Sequence, residues 1–445
     1  MSVLAINGGS PAADSPPGDI FHWPVITDDD RQAVLDVLDR GAMSATDVTV
    51  QFEQEFADWH GVEYALACSS GTAALQSAMW AVGLRCGDEL IAPSYTYWAS
   101  ALPALSLKAT VVFADIEPDT LCLDPADIEH RITDHTRAIV VTHMRGYPAP
   151  IERVVEIADR HGLKVIEDFS QAHGSRRKGQ LVGTFGDVAA CSLMSGKSLP
   201  AGEGGMLITD SREIWERAIA WGHYARTTGA RQTPHGQENY ITDEELRRLA
   251  GLPLGGYKYR MHQMSSAMGR VQLRQYDRRM KEIDRAMTLF WDLLEDVSGI
   301  KAHRPPADSP HSMGGWFGAR GLYEPEALGG VSVDDFCRAV RAEGVSAAVP
   351  HRRPLLHLHP VFNEADIYGD NRPTRLAHID RDVRQPAGSL PVTERMYDRV
   401  MGVPWFKHCD EEIIRQYAGA YRKIAEYADE IPREECDPPH PYREW

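Results

Sequence analysis

Four short stretches of the 445-residue chain carry residue types that could do chemistry together. Lys197 stands on a loop bounded by Gly196 and by Gly202-Glu203-Gly204-Gly205, just after an apolar run at 188–192. A reachable, partly unprotonated lysine amine attacks aldehydes and forms a Schiff base. Gly196-Lys197-Ser198 also matches the end of a phosphate-binding P-loop. That motif needs glycine five residues before Gly196, where Cys191 stands, and Pro200 with the glycines after it stops the helix that should follow. Most single lysines are simply exposed loop residues.

Upstream, Val165-Ile166 delivers Glu167 and Asp168 into the stretch Phe169-Ser170-Gln171-Ala172-His173. A carboxylate there can hold a pyridine nitrogen protonated, because its charge stabilises the cation; an N-cap or a surface acid is an equally good reading. Ser69-Ser70-Gly71-Thr72-Ala73-Ala74-Leu75 follows an apolar run and opens a helical pattern. Free N–H groups at a helix start attract anions, and Gly71 lets the backbone come close. Ser and Thr also favour plain N-caps. Pro93-Ser94-Tyr95-Thr96-Tyr97-Trp98 offers aromatic rings that either stack on a flat ligand or pack against the next helix. Singly these signals are weak. In this order each supplies a different part of one site: a phosphate cradle, a stacking ring, an acid for a ring nitrogen and the lysine.

The elements that must position them alternate regularly. Apolar runs at 64–68, 89–92, 110–114, 138–142, 164–167, 188–192 and 205–209 read as buried strands, and helical segments such as 72–82 and 151–160 lie between most of them. This pattern predicts an α/β fold with a mostly parallel sheet of seven strands covered by helices, and ligands at the carboxyl ends of the strands. Residues 1–25, rich in Gly, Pro and Ser, read as an irregular arm after which 28–38 has helical spacing. A large domain is expected over 26–298, with a loop insertion at 224–255 and a long helix at 262–294. A smaller C-terminal domain over 299–445 should carry helices at 333–342 and 411–428.

Composition narrows the classes. Hydrophobic residues make up 43% and charged residues 25%, and the net charge is −17. No basic face for nucleic acid is evident. Seven scattered cysteines without a CxxC pair fit free thiols in a reducing compartment. No apolar run is long enough for a membrane span, and residues 1–17 lack the features of a signal peptide. A cytoplasmic protein is expected.

Taken together, these motifs resemble the DegT/StrS-type sugar aminotransferases, which use pyridoxal 5′-phosphate (PLP) and share the aspartate-aminotransferase fold, fold type I. Further matching stretches are Asp115-Ile-Glu-Pro-Asp-Thr120, Gly183-Thr-Phe-Gly186 and Gly256-Tyr-Lys-Tyr-Arg-Met261. The resemblance implies that Lys197 forms the Schiff base and acts as general base, that Asp168 pairs with the ring nitrogen, and that Gln171 touches the phenolic oxygen. It implies that Tyr97 stacks on the ring and that Ser70, Gly71, Thr72 and Ser192 hold the phosphate. It further implies a homodimer with shared active sites, in which the loop before Met261 reaches the partner's cofactor. Many members carry Asn where this chain has Lys258, which can meet phosphate only as a point charge.

The resemblance also implies a ping-pong transfer from glutamate or glutamine to a keto group of a sugar, nucleotide sugar or cyclitol, with a slight lean to aminocyclitols. A deoxysugar dehydratase is the nearest alternative, but there a histidine replaces the lysine. A non-catalytic PLP-binding sensor is a third. For the substrate side, His351 and Arg352 in the run 350–360 are candidates, as are His223 and Tyr224 at the mouth of the insertion; solvated or structural roles fit them equally. No metal-ligand spacing is evident.

Overall fold

The computed structural model describes residues 3–224, 226, 241–249 and 252–434. Most of the expected insertion, including 227–240, and the tail from 435 lie outside the described residues.

The strands of the main sheet are β1 (Tyr64–Cys68), β2 (Glu89–Pro93), β3 (Thr110–Ala114), β4 (Thr136–Thr142), β5 (Lys164–Asp168), β6 (Val188–Ser192) and β7 (Gly205–Thr209). Their order across the sheet is β1-β7-β6-β5-β4-β2-β3. β2 to β6 pair in parallel, and β7 runs antiparallel to both β6 and β1. The strands are apolar on both faces because both faces are covered, so Val140, Ile166, Ala190 and Leu207 are buried. In register, Thr142 pairs with Asp168 and Asp168 with Ala190, which brings the chemical residues to one edge of the sheet.

Local chemistry sets the element ends. The helix expected over 72–82 spans Gly71–Ala81, because Ser70 is its N-cap and Ser70 Oγ accepts from the Ala73 N–H at 3.1 Å. The long helix is Gln263–Asp292, capped by His262. The last expected helix ends at Glu426, and a short 3₁₀ turn, Ala428–Glu430, follows it.

A second sheet begins at residue 300. It contains β8 (Ile300–Ala302), β9 (Arg320–Tyr323), β10 (Val349–Pro350) and β11 (Val400–Gly402), all antiparallel, in the order β8-β9-β11-β10. Pro350 is tolerated because β10 is an edge strand. The helices Val333–Ala342 and Glu411–Glu426 contribute Phe336, Val340, Ile414 and Tyr421 to the core.

The N-terminal arm is irregular, as its composition implies, but it is firmly held. The Glu343 carboxylate accepts from the N–H groups of Ala5 and Ala12, each at 2.8 Å, and from Lys423 at 2.8 Å. At the arm's far end the Trp23 indole donates to the Lys197 carbonyl at 2.8 Å. None of the described helices is long and apolar enough to cross a membrane.

Candidate active site

The carboxyl ends of β1, β5 and β6 open into a cavity of about 360 Å³. Its wall includes Ser70, Gly71, Thr72, Tyr97, Asp168, Gln171, Ser192 and Lys197. The eight residues expected from sequence to hold a cofactor within one subunit therefore meet in one place.

Each is positioned by a local device. A Cβ on Gly71 would lie 2.7 Å from Ser192 Cβ and 2.8 Å from Ser192 Cα. Only glycine allows the first turn of the Gly71–Ala81 helix to sit against β6 there. The cradle thus has a helix start on one side and the Ser192 hydroxyl on the other. Asp168 ends β5 and is buried. Its Oδ2 accepts from Ser100 Oγ at 2.6 Å and its Oδ1 from the Ser170 N–H at 3.0 Å. Ser100 belongs to a hydroxyl network with Thr96 and Thr142. A carboxylate has about four lone-pair sites, so this one keeps acceptor capacity for a ligand.

Glu167, the other acid of the pair, has a different task. It is fully buried and accepts from the N–H groups of Gly183, Phe185 and Gly186 and from His143. Burial pushes its pKa up, but the hydrogen bonds from His143 and the backbone prevail and hold it below the ordinary value. Glu167 organises the 183–186 turn and does not line the cavity.

The backbone of Lys197 is fixed by its N–H donating to the Met194 carbonyl and by the Trp23 contact. Its Nζ lies 4.2 Å from the centroid of the Phe317 ring. Burial lowers its pKa to about 8; Asp168 opposes the shift, and Arg145 and Arg353 add to it. Near neutral pH a useful fraction of this amine is therefore unprotonated and nucleophilic. The cradle, the buried carboxylate with spare acceptor sites, the amine of depressed pKa and the half-exposed Tyr97 ring fit the residues needed to hold PLP.

The substrate-side expectations fare differently. Arg352 pairs with Asp334 through two hydrogen bonds and with Asp398 at 2.9 Å, and is not part of the cavity wall. Its neighbour Arg353 lines the wall instead. His351 is a step behind it, accepting at Nε2 from Arg145 Nη2 at 2.9 Å. His223 is fully buried, 3.2 Å from the Ala67 carbonyl and 3.9 Å from Cys68 Sγ, and burial lowers its pKa to about 3. It supports β1 from below. Tyr224 is exposed, with the Arg260 guanidinium 6.0 Å from its ring, and Lys258 is exposed; neither is in the cavity wall.

Phe317, Arg145 and Arg353 were not singled out from sequence. Arg145 lies three residues beyond the end of β4, so the rule that ligands meet strand ends would have found it. Phe317 follows no such rule, since it reaches the cavity from the turn before β9.

The model of the DegT/DnrJ/EryC1/StrS aminotransferase family matches residues 24–420. An L-glutamine:2-deoxy-scyllo-inosose aminotransferase of Streptomyces kanamyceticus is 32% identical over 439 residues, covering 96% of this chain and 97% of the relative. Among solved structures, an aminotransferase from Psychrobacter cryohalolentis is 26% identical with a TM-score of 0.76, covering 93% of this chain and 99% of that one. The S. venezuelae protein DesV, solved in complex with a ketimine intermediate, is 28% identical with a TM-score of 0.71, over 91% and 95% of the two chains. The chain therefore belongs to the DegT/DnrJ/EryC1/StrS aminotransferase family and is an aminotransferase of PLP fold type I.

Proposed function

We propose that the enzyme moves the amino group of glutamine or glutamate to a keto group of a cyclitol or sugar. The observation that carries this reading is the meeting of Lys197, Asp168 and the Gly71 cradle in one cavity. It is supported by an end-to-end likeness to a relative named for L-glutamine and 2-deoxy-scyllo-inosose.

PLP, when bound, supplies an aldehyde that captures amines and a ring that accepts electron density. The Lys197 amine would hold the aldehyde at rest, and once displaced by the donor's amine would carry the α-proton away and return a proton on the acceptor's side. Asp168 would keep the ring nitrogen protonated, with Ser100 and the Ser170 N–H fixing its carboxylate. Gly71, Thr72, Ser70 and Ser192 would hold the phosphate, Tyr97 would cover the ring and Gln171 would meet the phenolic oxygen. Lys258 is exposed and is not part of this cavity's wall. That suits a role in a partner subunit's site, so a homodimer with shared sites is part of the proposal.

Loading the enzyme with the amino form of the cofactor and offering keto-cyclitols and keto-sugars one at a time tests the reading. Return of the aldehyde-form absorbance with a keto-cyclitol is expected. If glutamine and glutamate both fail to generate the amino form, the proposal is wrong.

A further inference from the structure

Three arginines gather beside the Lys197 cavity with no carboxylate among them. Arg145 is buried, Arg320 and Arg353 are half-buried, and none forms an ion pair among the described residues. The Nε atoms of all three are buried without a hydrogen-bond partner, as is that of Arg226, and their other nitrogens meet only neutral groups, Arg145 Nη2 at His351 and Arg320 Nη1 at the Ala319 carbonyl. Burial alone does not explain the missing carboxylate. Arg375 is also buried without a carboxylate, yet it donates to the carbonyls of Val111 and Val383 and to Gln385 Oε1. Arg226, as deeply buried, pairs with Glu53 at 2.6 Å. These two fully buried guanidinium groups thus have the partners that the cost of desolvating charge demands.

The three come from separate parts of the chain. Arg145 follows β4, Arg320 opens β9 and Arg353 follows β10. Gly318 lies between the first two: a Cβ there would be 2.7 Å from Arg145 Nη1 and 3.7 Å from both Nη atoms of Arg320. The Phe317 ring has the Arg145 guanidinium 5.6 Å from its centroid, on the ring that also carries Lys197 Nζ. Arg145 adopts φ 56°, a left-handed conformation that residues with a side chain avoid. The surroundings point the same way. His351 accepts from Arg145, and burial together with the three arginines keeps its pKa far below the ordinary value, so it is a neutral acceptor that aims the guanidinium. The Tyr95 hydroxyl is buried without a partner and is coupled electrostatically to all three arginines. Burial, reinforced by Arg353, lowers the pKa of Arg320 to about 9.

We propose that Arg145, Arg320 and Arg353 form a binding site for an anionic oxygen group, carboxylate or phosphate, carried by a substrate. Guanidinium groups match both anions through paired hydrogen bonds, and the water-poor setting strengthens each contact. The cofactor's own phosphate has its cradle at Gly71 and Thr72, so the cluster is left for the substrate. Two sources share this chemistry: the carboxylate of the amino donor, or an acidic substituent on the keto acceptor. The inference rests on the aminotransferase reading for its ligand but not for its existence.

The test uses the PLP-loaded enzyme. Succinate and inorganic phosphate, neither of which can react, are titrated in separately and followed by calorimetry and by the cofactor absorbance. At least one is expected to bind, and Arg320→Gln and Arg353→Gln should each weaken it about 10- to 100-fold, with Arg320→Lys intermediate. In the separated half-reactions, a rise in the donor's apparent dissociation constant alone assigns the site to the donor carboxylate. A rise for the acceptor alone assigns it to an acidic acceptor. If neither probe binds the wild-type enzyme, or if both bind equally well to variants that melt at the wild-type temperature, the site is disproved. Should Arg320→Gln not fold, Arg353→Gln at the cavity wall carries the same comparison. Failure of glutamine and glutamate to generate the amino form, with arginine-dependent anion binding intact, would refute only the aminotransferase reading.

Discussion

The two walls of the cavity are built by different rules. The wall formed by Gly71, Thr72, Asp168, Ser192 and Lys197 comes from residues at strand ends or within five residues of them in the first half of the chain. Asp168 and Ser192 have local hydrogen-bond partners, and Gly71 is fixed by close packing. The side that presents Phe317 and Arg353, with Arg145 and Arg320 beside them, is assembled from both sheets, with cation beside cation and buried donors unused. One side can be finished within the protein. The other, on the proposal above, is incomplete until a ligand arrives.

The largest effect should come from removing the lysine. Lys197→Ala is expected to lower turnover by on the order of 10⁴-fold or more, measured as amino transfer under saturating substrates, with loss of the resting cofactor absorbance. Asp168→Asn removes a buried charge in the cavity wall, an effect of about 3–5 kcal/mol. Turnover should fall roughly 100- to 5,000-fold while the protein still captures the cofactor. Gly71→Ala forces a methyl group into Ser192. Such overpacking costs about 1–3 kcal/mol and should appear in equilibrium dialysis as weaker cofactor retention.

The last two effects are smaller and probe the arginine wall. In the cofactor-free protein, cofactor capture should speed up as pH rises through about 8, where the Lys197 amine loses its proton. Arg145 disfavours the protonated amine, so Arg145→Gln must raise the Lys197 pKa and move that midpoint to higher pH. An unchanged midpoint in a stopped-flow pH profile would show that the two walls do not communicate, and a downward move would show that the sign of the coupling is wrong. Arg352→Gln breaks pairs with Asp334 and Asp398 on a partly exposed surface. It should cost about 1 kcal/mol of stability or less and leave kcat/KM unchanged, whereas Arg353→Gln, one residue on, should not.

That adjacent pair shows what could be read from the chain and what could not. The strand-end rule found Ser70 to Thr72, Asp168 and Lys197, because in a parallel sheet the end of an apolar run is a position in space, and the family resemblance added Gln171 and Ser192. After the edge strand β10 the backbone leaves the sheet, and no periodicity tells which of His351, Arg352 and Arg353 turns inward. The short strands β8, β9 and β11 lacked the long apolar runs that marked the first sheet, and only two helices of that region were legible. Arg145 was within reach of the strand-end rule but masked by its neighbours. In Glu167-Asp168, two acids looked alike in sequence, and only the turn at 183–186 decides that Glu167 is consumed by backbone N–H groups.

The N-terminal arm is anchored at Glu343 beside the second sheet and reaches the Lys197 carbonyl through Trp23. It works as a guy-rope between the second sheet's side of the molecule and the Lys197 loop. Any hinge motion that parted the two sheets would stretch it and pull on the peptide that carries the reactive amine. Shortening the chain from this end would thus loosen a loop that lies 174 residues away in sequence.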